Sequence, residues 1–400
     1  MPPLIFRKGL DMKAAVAGAL AEDYHSTLVD RIKQDDYTYT APGLVLHLAR
    51  EFGFCYGVDR AVDYAYQARQ RFAGRRVFLT GEIIHNPHVN AKLRTSGIRF
   101  LSDASESVEA LTPDDVVILP AFGVSVGDLE RFVSIGCTLV DTTCGSVLNV
   151  WKNVTRYARD GFTAVIHGKV HHEETRATAS QALTCPGGRY LVVLDRDEAA
   201  LACDHIRHGG DPAAFLRRFG QAVSEGFDPD RDLQRIGLAN QTTMLMSESL
   251  EIGEMFRAAM RDRYGEAALP DRYRAFDTIC SATQERQDAV IALLDQHELD
   301  VMIVVGGYNS SNTCNLANIC AERVATYHIA EPACLVSAGE IRYRPVVPHG
   351  VPRQKVSEAR AAGWLPSRRP VRVGLTAGAS TPNNIIGEVV RRMAGFLAEP

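Results

Sequence analysis

Val301-Met302-Ile303-Val304-Val305 is an unbroken apolar run, followed by the polar turn Gly307-Tyr308-Asn309-Ser310-Ser311-Asn312 and, over 313–325, by apolar residues at helical spacing. A short apolar run ahead of such a turn and an amphipathic stretch predicts a buried parallel strand feeding a helix. The same order recurs along the chain. Strand-like runs stand at 77–79, 116–119, 164–166, 191–194 and 371–375, and amphipathic stretches at 57–71, 146–159, 283–295 and 383–397. Alternation of this kind implies an α/β protein with right-handed crossovers and ligand-binding loops at the carboxyl ends of its strands.

Three cysteines sit where such an element turns into a helix: Cys55 in GFCYGV, Cys144 in DTTCGSV and Cys280 in DTICSAT. Unpaired N–H groups at a helix start favour the thiolate, and so a nucleophile or a metal ligand. The gaps of 89 residues (55 to 144) and 136 (144 to 280) are far from the close Cys pairs of structural zinc sites or the tight runs of bacterial ferredoxins. Ligands from three distant loops suit a [4Fe-4S] cubane with one iron left open to catalysis. The competing reading is three buried small hydrophobes, to which class Cys137, Cys185, Cys203, Cys314, Cys320 and Cys334 are assigned.

The expected architecture is α/β, with three α/β lobes of mostly parallel sheets arranged around a central iron–sulfur cluster. An N-terminal extension with one helix and a polar tail covers 1–42, and a first lobe covers 43–125. A second lobe covers 126–265, with an irregular, charged and Gly/Pro-rich insertion near 204–235. A third lobe covers 266–370, ending in a connection over 341–370 marked by Pro345, Pro348, Pro352, Pro366 and Pro370, with room for one short helix. A strand and helix over 371–400 complete the core.

Composition excludes several classes. At 46% hydrophobic and 23% charged, 400 residues suffice for two or three domains. No run approaches the ~18 apolar residues of a spanning helix, and the N-terminus lacks a secretory apolar region, so no membrane role is expected. Nine cysteines without disulfide spacing fit a reducing cytosol, hence a cytoplasmic protein. A formal charge of −4 without a basic stripe gives no expectation of nucleic acid.

Anion-binding groups surround the cysteines. The 307–312 turn and Thr376-Ala377-Gly378-Ala379-Ser380-Thr381-Pro382 both bring hydroxyls to a helix start, where phosphate binds; the alternative is plain capping. His85 and His172 follow strand-like runs and can donate to phosphate oxygens, Glu174 can carry protons, and Asn240-Gln241-Thr242-Thr243 adds hydroxyls. An open iron, phosphate loops and a proton donor point to reductive removal of an oxygen from a phosphorylated substrate.

The stretches at 53–58, 82–86, 141–144, 172–175, 241–243, 277–280, 309–312 and 376–380, in this order, resemble the motifs of the LytB family, the 4-hydroxy-3-methylbut-2-enyl diphosphate reductases, in its longer plant and cyanobacterial branch. The resemblance implies Cys55, Cys144 and Cys280 as ligands of one [4Fe-4S] cluster and Glu174 as the proton relay, with Thr242 near the hydroxymethyl end of the substrate. It implies His85, His172, Ser310, Ser311, Asn312 and Ser380 as diphosphate-binding groups, and Thr243 joins the substrate-binding set. The implied reaction turns (E)-4-hydroxy-3-methylbut-2-enyl diphosphate into isopentenyl and dimethylallyl diphosphates, the last step of the non-mevalonate pathway, with a ferredoxin or flavodoxin as electron donor. Two positions depart from the pattern of the shorter bacterial branch or of the family: Phe122 stands where a histidine is found, and Gly145 follows Cys144 where proline is usual. The residues alone leave open an aconitase-like hydro-lyase, separable by its independence of a reductant, and a non-enzymatic iron–sulfur protein.

Overall fold

The computed structural model describes residues 4–276, 278–347 and 357–398. Asp277, Pro348 and Pro352 lie outside the described residues. The chain forms two compact units: one holds Phe122–Cys137 and Thr143–Cys280, the other Leu4–Ala121, Thr138–Thr142 and the chain from Ser281 on.

In the first unit a fully parallel sheet runs in the order Tyr273–Ala275, Ile236–Asn240, Thr163–His167, Tyr190–Val193. Successive side chains of a strand point to opposite faces, and here both faces are buried. Val165, Leu191 and Val193 pack with Ile252, Phe256 and Met260 on one face. Ala164, Ile166 and Val192 pack with Val150, Val154 and Tyr157 on the other. The expected irregular insertion at 204–235 is instead structured. Helices Pro212–Phe219 and Pro229–Asp232 start on Asp211 and Asp228, whose side chains accept backbone N–H bonds. Phe215, Phe219, Phe227 and Leu233 then complete the first of these cores, because apolar side chains among the charges outweigh the turn-forming residues beside them.

Gly237 shows how tightly the second face is packed. A Cβ there would lie 2.5 Å from the ring of Tyr157, which is fully buried and donates its hydroxyl to the Leu238 carbonyl at 2.8 Å. Gly237→Ala is therefore expected to cost about 1–3 kcal/mol by overpacking, read as a lower denaturant midpoint at unchanged slope.

The second unit has two five-stranded sheets. One is parallel in the order Ile5–Phe6, Thr138–Asp141, Val116–Leu119, Val77–Leu79, Arg99–Phe100. The other runs Thr326–Ile329, Val301–Val305, Val371–Ala377, Leu44–Leu48, parallel throughout, with Thr38–Ala41 added antiparallel at the edge. Register pairs Val301 with Val373, and Val371 with Leu44. The mostly parallel α/β class is thus as expected, but strand pairing runs across the expected lobe boundaries. Leu44–Leu48 joins the sheet of the 301–305 strand, and Ile5–Phe6 and Thr138–Asp141 join the sheet of the 116–119 strand.

Two expectations are corrected by local structure. The 1–42 stretch carries two helices, Lys13–Tyr24 and Thr27–Gln34, and its polar tail is the Thr38–Ala41 edge strand. The second helix is easily missed because a polar stretch intervenes, yet Ser26 caps it and Val29 and Ile32 bury its inner face. The described part of 341–370 holds no helix: Glu340–Tyr343 pairs antiparallel with Ala359–Ala362 and with Leu335–Ser337. Among the described residues no helix is long and apolar enough to cross a membrane.

Candidate functional site

In the first unit the helix Glu173–Ala182 starts at His172, whose Nδ1 accepts the Glu174 N–H at 3.2 Å. That capping role turns the ring toward the helix start, and Phe122 meets it edge-on, with centroids 5.6 Å apart and planes at 79°. The aromatic that stands in place of a histidine therefore packs against a diphosphate candidate. Gly123 next to it has φ +75°, and a Cβ there would lie 2.4 Å from Trp151, so position 123 requires glycine.

Glu174 lies in the first turn and is 1% exposed. Its Oε1 accepts the Thr242 N–H at 2.5 Å, and the Thr242 carbonyl accepts the Cys280 N–H at 3.2 Å. One chain of hydrogen bonds thus joins the expected proton donor, the expected hydroxymethyl-end threonine and the backbone of an expected ligand cysteine. Thr242 is placed by its neighbours. The fully buried Gln241 accepts from Lys169 N and the Thr175 hydroxyl and donates to Thr243 Oγ1 at 2.9 Å, while Thr278 Oγ1 accepts the Asn240 N–H at 2.7 Å. Buried polar groups satisfied in this way hold a single geometry.

Cys144 is the N-cap residue of Gly145–Arg159 and is partly exposed. A Cβ on Gly145 would meet open space, so packing does not require glycine beside this cysteine.

The second unit gathers the remaining candidates. Cys55 is the N-cap residue of Tyr56–Arg71, and its N–H donates to the Ala379 carbonyl at 3.2 Å. The Ala379 N–H donates in turn to Asn312 Oδ1 at 3.0 Å. Asn312 is 2% exposed, and its Nδ2 is a buried donor with no partner among the described residues. A buried amide donor left unmet is costly, and any acceptor, a phosphate oxygen among them, would satisfy it. Ser310 caps Ser311–Ala321, accepting from Thr313 N and the Thr313 hydroxyl; Ser311 is buried and Ser380 half-buried. Gly378 is required here, since a Cβ would fall 2.0 Å from Thr313 Oγ1.

His85, 5% exposed, has a partner that the sequence reading did not single out. Its Nδ1 lies 2.8 Å from Glu82 Oε2, which also accepts from Asn309 Nδ2 at 3.0 Å. Burial raises the Glu82 pKa, but the bonds from His85 and Asn309 outweigh it and hold the carboxyl below its usual range. The signal was the i,i+3 spacing in Glu82-Ile83-Ile84-His85, which any turn can produce and which gains meaning only when Asn309 arrives. Behind the same loop, burial keeps the His328 ring neutral, its pKa pushed down to about 4, with Nε2 2.9 Å from the Gly306 carbonyl.

The donor set fits an iron–sulfur cluster. Cys55, Cys144 and Cys280 are partly exposed, and each immediately precedes a helix. Of the six cysteines expected to be buried, Cys137, Cys203, Cys314, Cys320 and Cys334 are, whereas Cys185 is partly exposed and so corrects that expectation. Burial pushes the Cys203 thiol up to about 12 and raises that of Cys320 too, away from the thiolate a metal needs.

The sequence pattern of the LytB protein family matches residues 46–394. The chain belongs to the LytB family. The 4-hydroxy-3-methylbut-2-enyl diphosphate reductase of Gloeobacter violaceus is 48% identical over 395 residues, covering 97% of this chain and 91% of that protein. The reductase of the same name from Thermosynechococcus vestitus is 44% identical over 390 residues, covering 97% and 93%. Both relatives are cyanobacterial, in line with the cyanobacterial side of the expected branch. Among solved structures, that of (E)-4-hydroxy-3-methyl-but-2-enyl diphosphate reductase, the terminal enzyme of the non-mevalonate pathway, is 27% identical with a TM-score of 0.53, covering 88% of this chain and 99% of that one. The Plasmodium falciparum E-1-hydroxy-2-methyl-but-2-enyl-4-diphosphate reductase, 20% identical with a TM-score of 0.60 over 86% of each chain, shares the fold.

Proposed function

We propose that this LytB chain reductively dehydroxylates (E)-4-hydroxy-3-methylbut-2-enyl diphosphate to isopentenyl and dimethylallyl diphosphates. Two electrons and two protons enter, the C–O bond of the allylic hydroxyl breaks, and water leaves. A [4Fe-4S] cluster held by Cys55, Cys144 and Cys280 supplies, when bound, the electrons and an open coordination position. The observation that carries the reading is the buried chain from Glu174 through Thr242 to Cys280, because it fixes an acid beside a ligand-bearing loop.

Glu174 gives the proton that the leaving oxygen needs, and its bond to Thr242 N orients the carboxyl for this transfer. Thr242 and Thr243 present hydroxyls at that end. His85, His172, Ser310, Ser311, Asn312 and Ser380 bind the diphosphate, where the unmet Asn312 Nδ2 can donate to a phosphate oxygen and the helix start at Ser311 favours an anion. A small protein donor such as a ferredoxin or flavodoxin delivers the electrons.

The test is anaerobic purification with iron and sulfide counted per chain, followed by conversion of the allylic diphosphate under dithionite. The expected result is reductant-dependent formation of both products. Hydration or dehydration without a reductant, or no conversion at all, rejects the reading. Because Glu82 orients His85, Glu82→Gln is expected to raise KM about tenfold, the worth of one charged hydrogen bond, with a smaller change in kcat. Steady-state kinetics at saturating reductant checks this.

A further inference from the structure

The helix Ser281–Gln296 buries Thr283, Arg286 and Gln287 on its inner face. Arg286 is 3% exposed, yet no carboxylate lies within ion-pair distance of it among the described residues. Its Nη1 donates to the Ala282 carbonyl at 2.7 Å and its Nη2 to the Gly53 carbonyl at 2.8 Å, while Nε is buried without a partner. Two neutral carbonyls do not offset the desolvation of a guanidinium, which is always charged. A buried cation in this condition implies an anion that completes its surroundings.

Its location says which anion. Gly53 stands two residues before Cys55, in a loop where φ is +72° and a Cβ would crowd Asn383 and Thr381, so this carbonyl has a fixed direction. Arg286 itself lies six residues beyond Cys280 in sequence, on the helix that this cysteine precedes. A cubane bound by three thiolates is net negative and becomes more so on reduction. We propose that Arg286 is the internal counter-charge of the iron–sulfur cluster, stabilising its reduced state while its fork holds the loop of Cys55 in place. The inference rests on the cluster reading above. Arg286 is thus a positioning and potential-setting residue rather than one that meets the substrate.

The test compares wild type with Arg286→Met and Arg286→Lys, each reconstituted anaerobically with iron and sulfide. A redox titration followed by electron paramagnetic resonance, iron release to a chelator and melting of the iron-free chain are the readouts. In R286M the midpoint potential should move to more negative values and iron should leave about tenfold faster, as when a group supporting a metal ligand is lost. The iron-free R286M chain should melt at or above the wild-type temperature, because an uncompensated buried charge is gone. R286K, which keeps the charge, should restore most of the potential. If R286M does not fold, Arg286→Gln carries the same expectations for potential and iron release. A variant with wild-type potential and iron retention overturns the inference, as does an iron-free R286M chain that melts lower while its cluster is unaffected. A wild-type chain that binds no iron rejects the cluster reading itself.

Discussion

Replacing Glu174 by Gln is expected to lower kcat by about 10²–10⁴-fold, the usual worth of a positioned general acid, while iron content and the visible spectrum stay at wild-type levels. Gln has nearly the same shape, and its amide oxygen can still accept the Thr242 N–H that the carboxylate accepts at 2.5 Å. The link onward to the Cys280 N–H runs through the Thr242 main chain and needs no carboxyl. What the substitution removes is a transferable proton. The loss should therefore fall on kcat, with KM for the diphosphate little changed. Rapid-quench or steady-state assay under dithionite, paired with iron analysis, measures both. An E174Q enzyme of normal turnover would remove this side chain from the proton path, and an iron-poor one would show that the residue supports the ligand loop instead.

Cys280→Ser should abolish turnover and lose most of the iron, because a serine hydroxyl is a poor ligand where a thiolate is required. The backbone N–H of residue 280 and its bond to Thr242 survive the change, so the iron-free fold should be retained by circular dichroism. Cys320→Ala is the matched control. That thiol is fully buried in a core with Met302, Val304 and Leu316, and burial pushes its pKa up; its loss should cost about 1–2 kcal/mol of stability and leave iron content unchanged. Equal iron loss from both variants would mean that the cluster responds to general destabilisation rather than to a ligand.

Much of the fold was legible because its signals are local. Strand runs such as 116–119 and 301–305 and helices such as Tyr56–Arg71 and Gly145–Arg159 follow from apolar period and from the residues at their starts. Candidate residues of the Cys, His, Glu and clustered Ser and Asn types at strand ends stood out by type and spacing, while the role given to each is what the resemblance to the LytB family implies. Glu82 and Arg286 were not legible. Each takes its meaning from a partner far away in sequence, Asn309 for one and Gly53 for the other. The 204–235 stretch reads as irregular because Gly, Pro and Asp mark helix starts as readily as loops, and only the burial of Phe215 and Phe219 decides between them.

By itself, the sequence settled the α/β class and the cysteines that begin helices, since periodicity and capping depend on near neighbours; which acid stands as the candidate proton donor is what the resemblance to the LytB family implies. Tertiary structure alone decided which strands lie together: Thr138–Asp141 pairs beside Val116–Leu119, and Val371–Ala377 enters between Leu44–Leu48 and Val301–Val305. It alone decided, too, that Thr242 bridges Glu174 to Cys280. Those choices are made by burying apolar faces and satisfying backbone groups across tens to hundreds of residues, a competition among distant segments that no local pattern encodes.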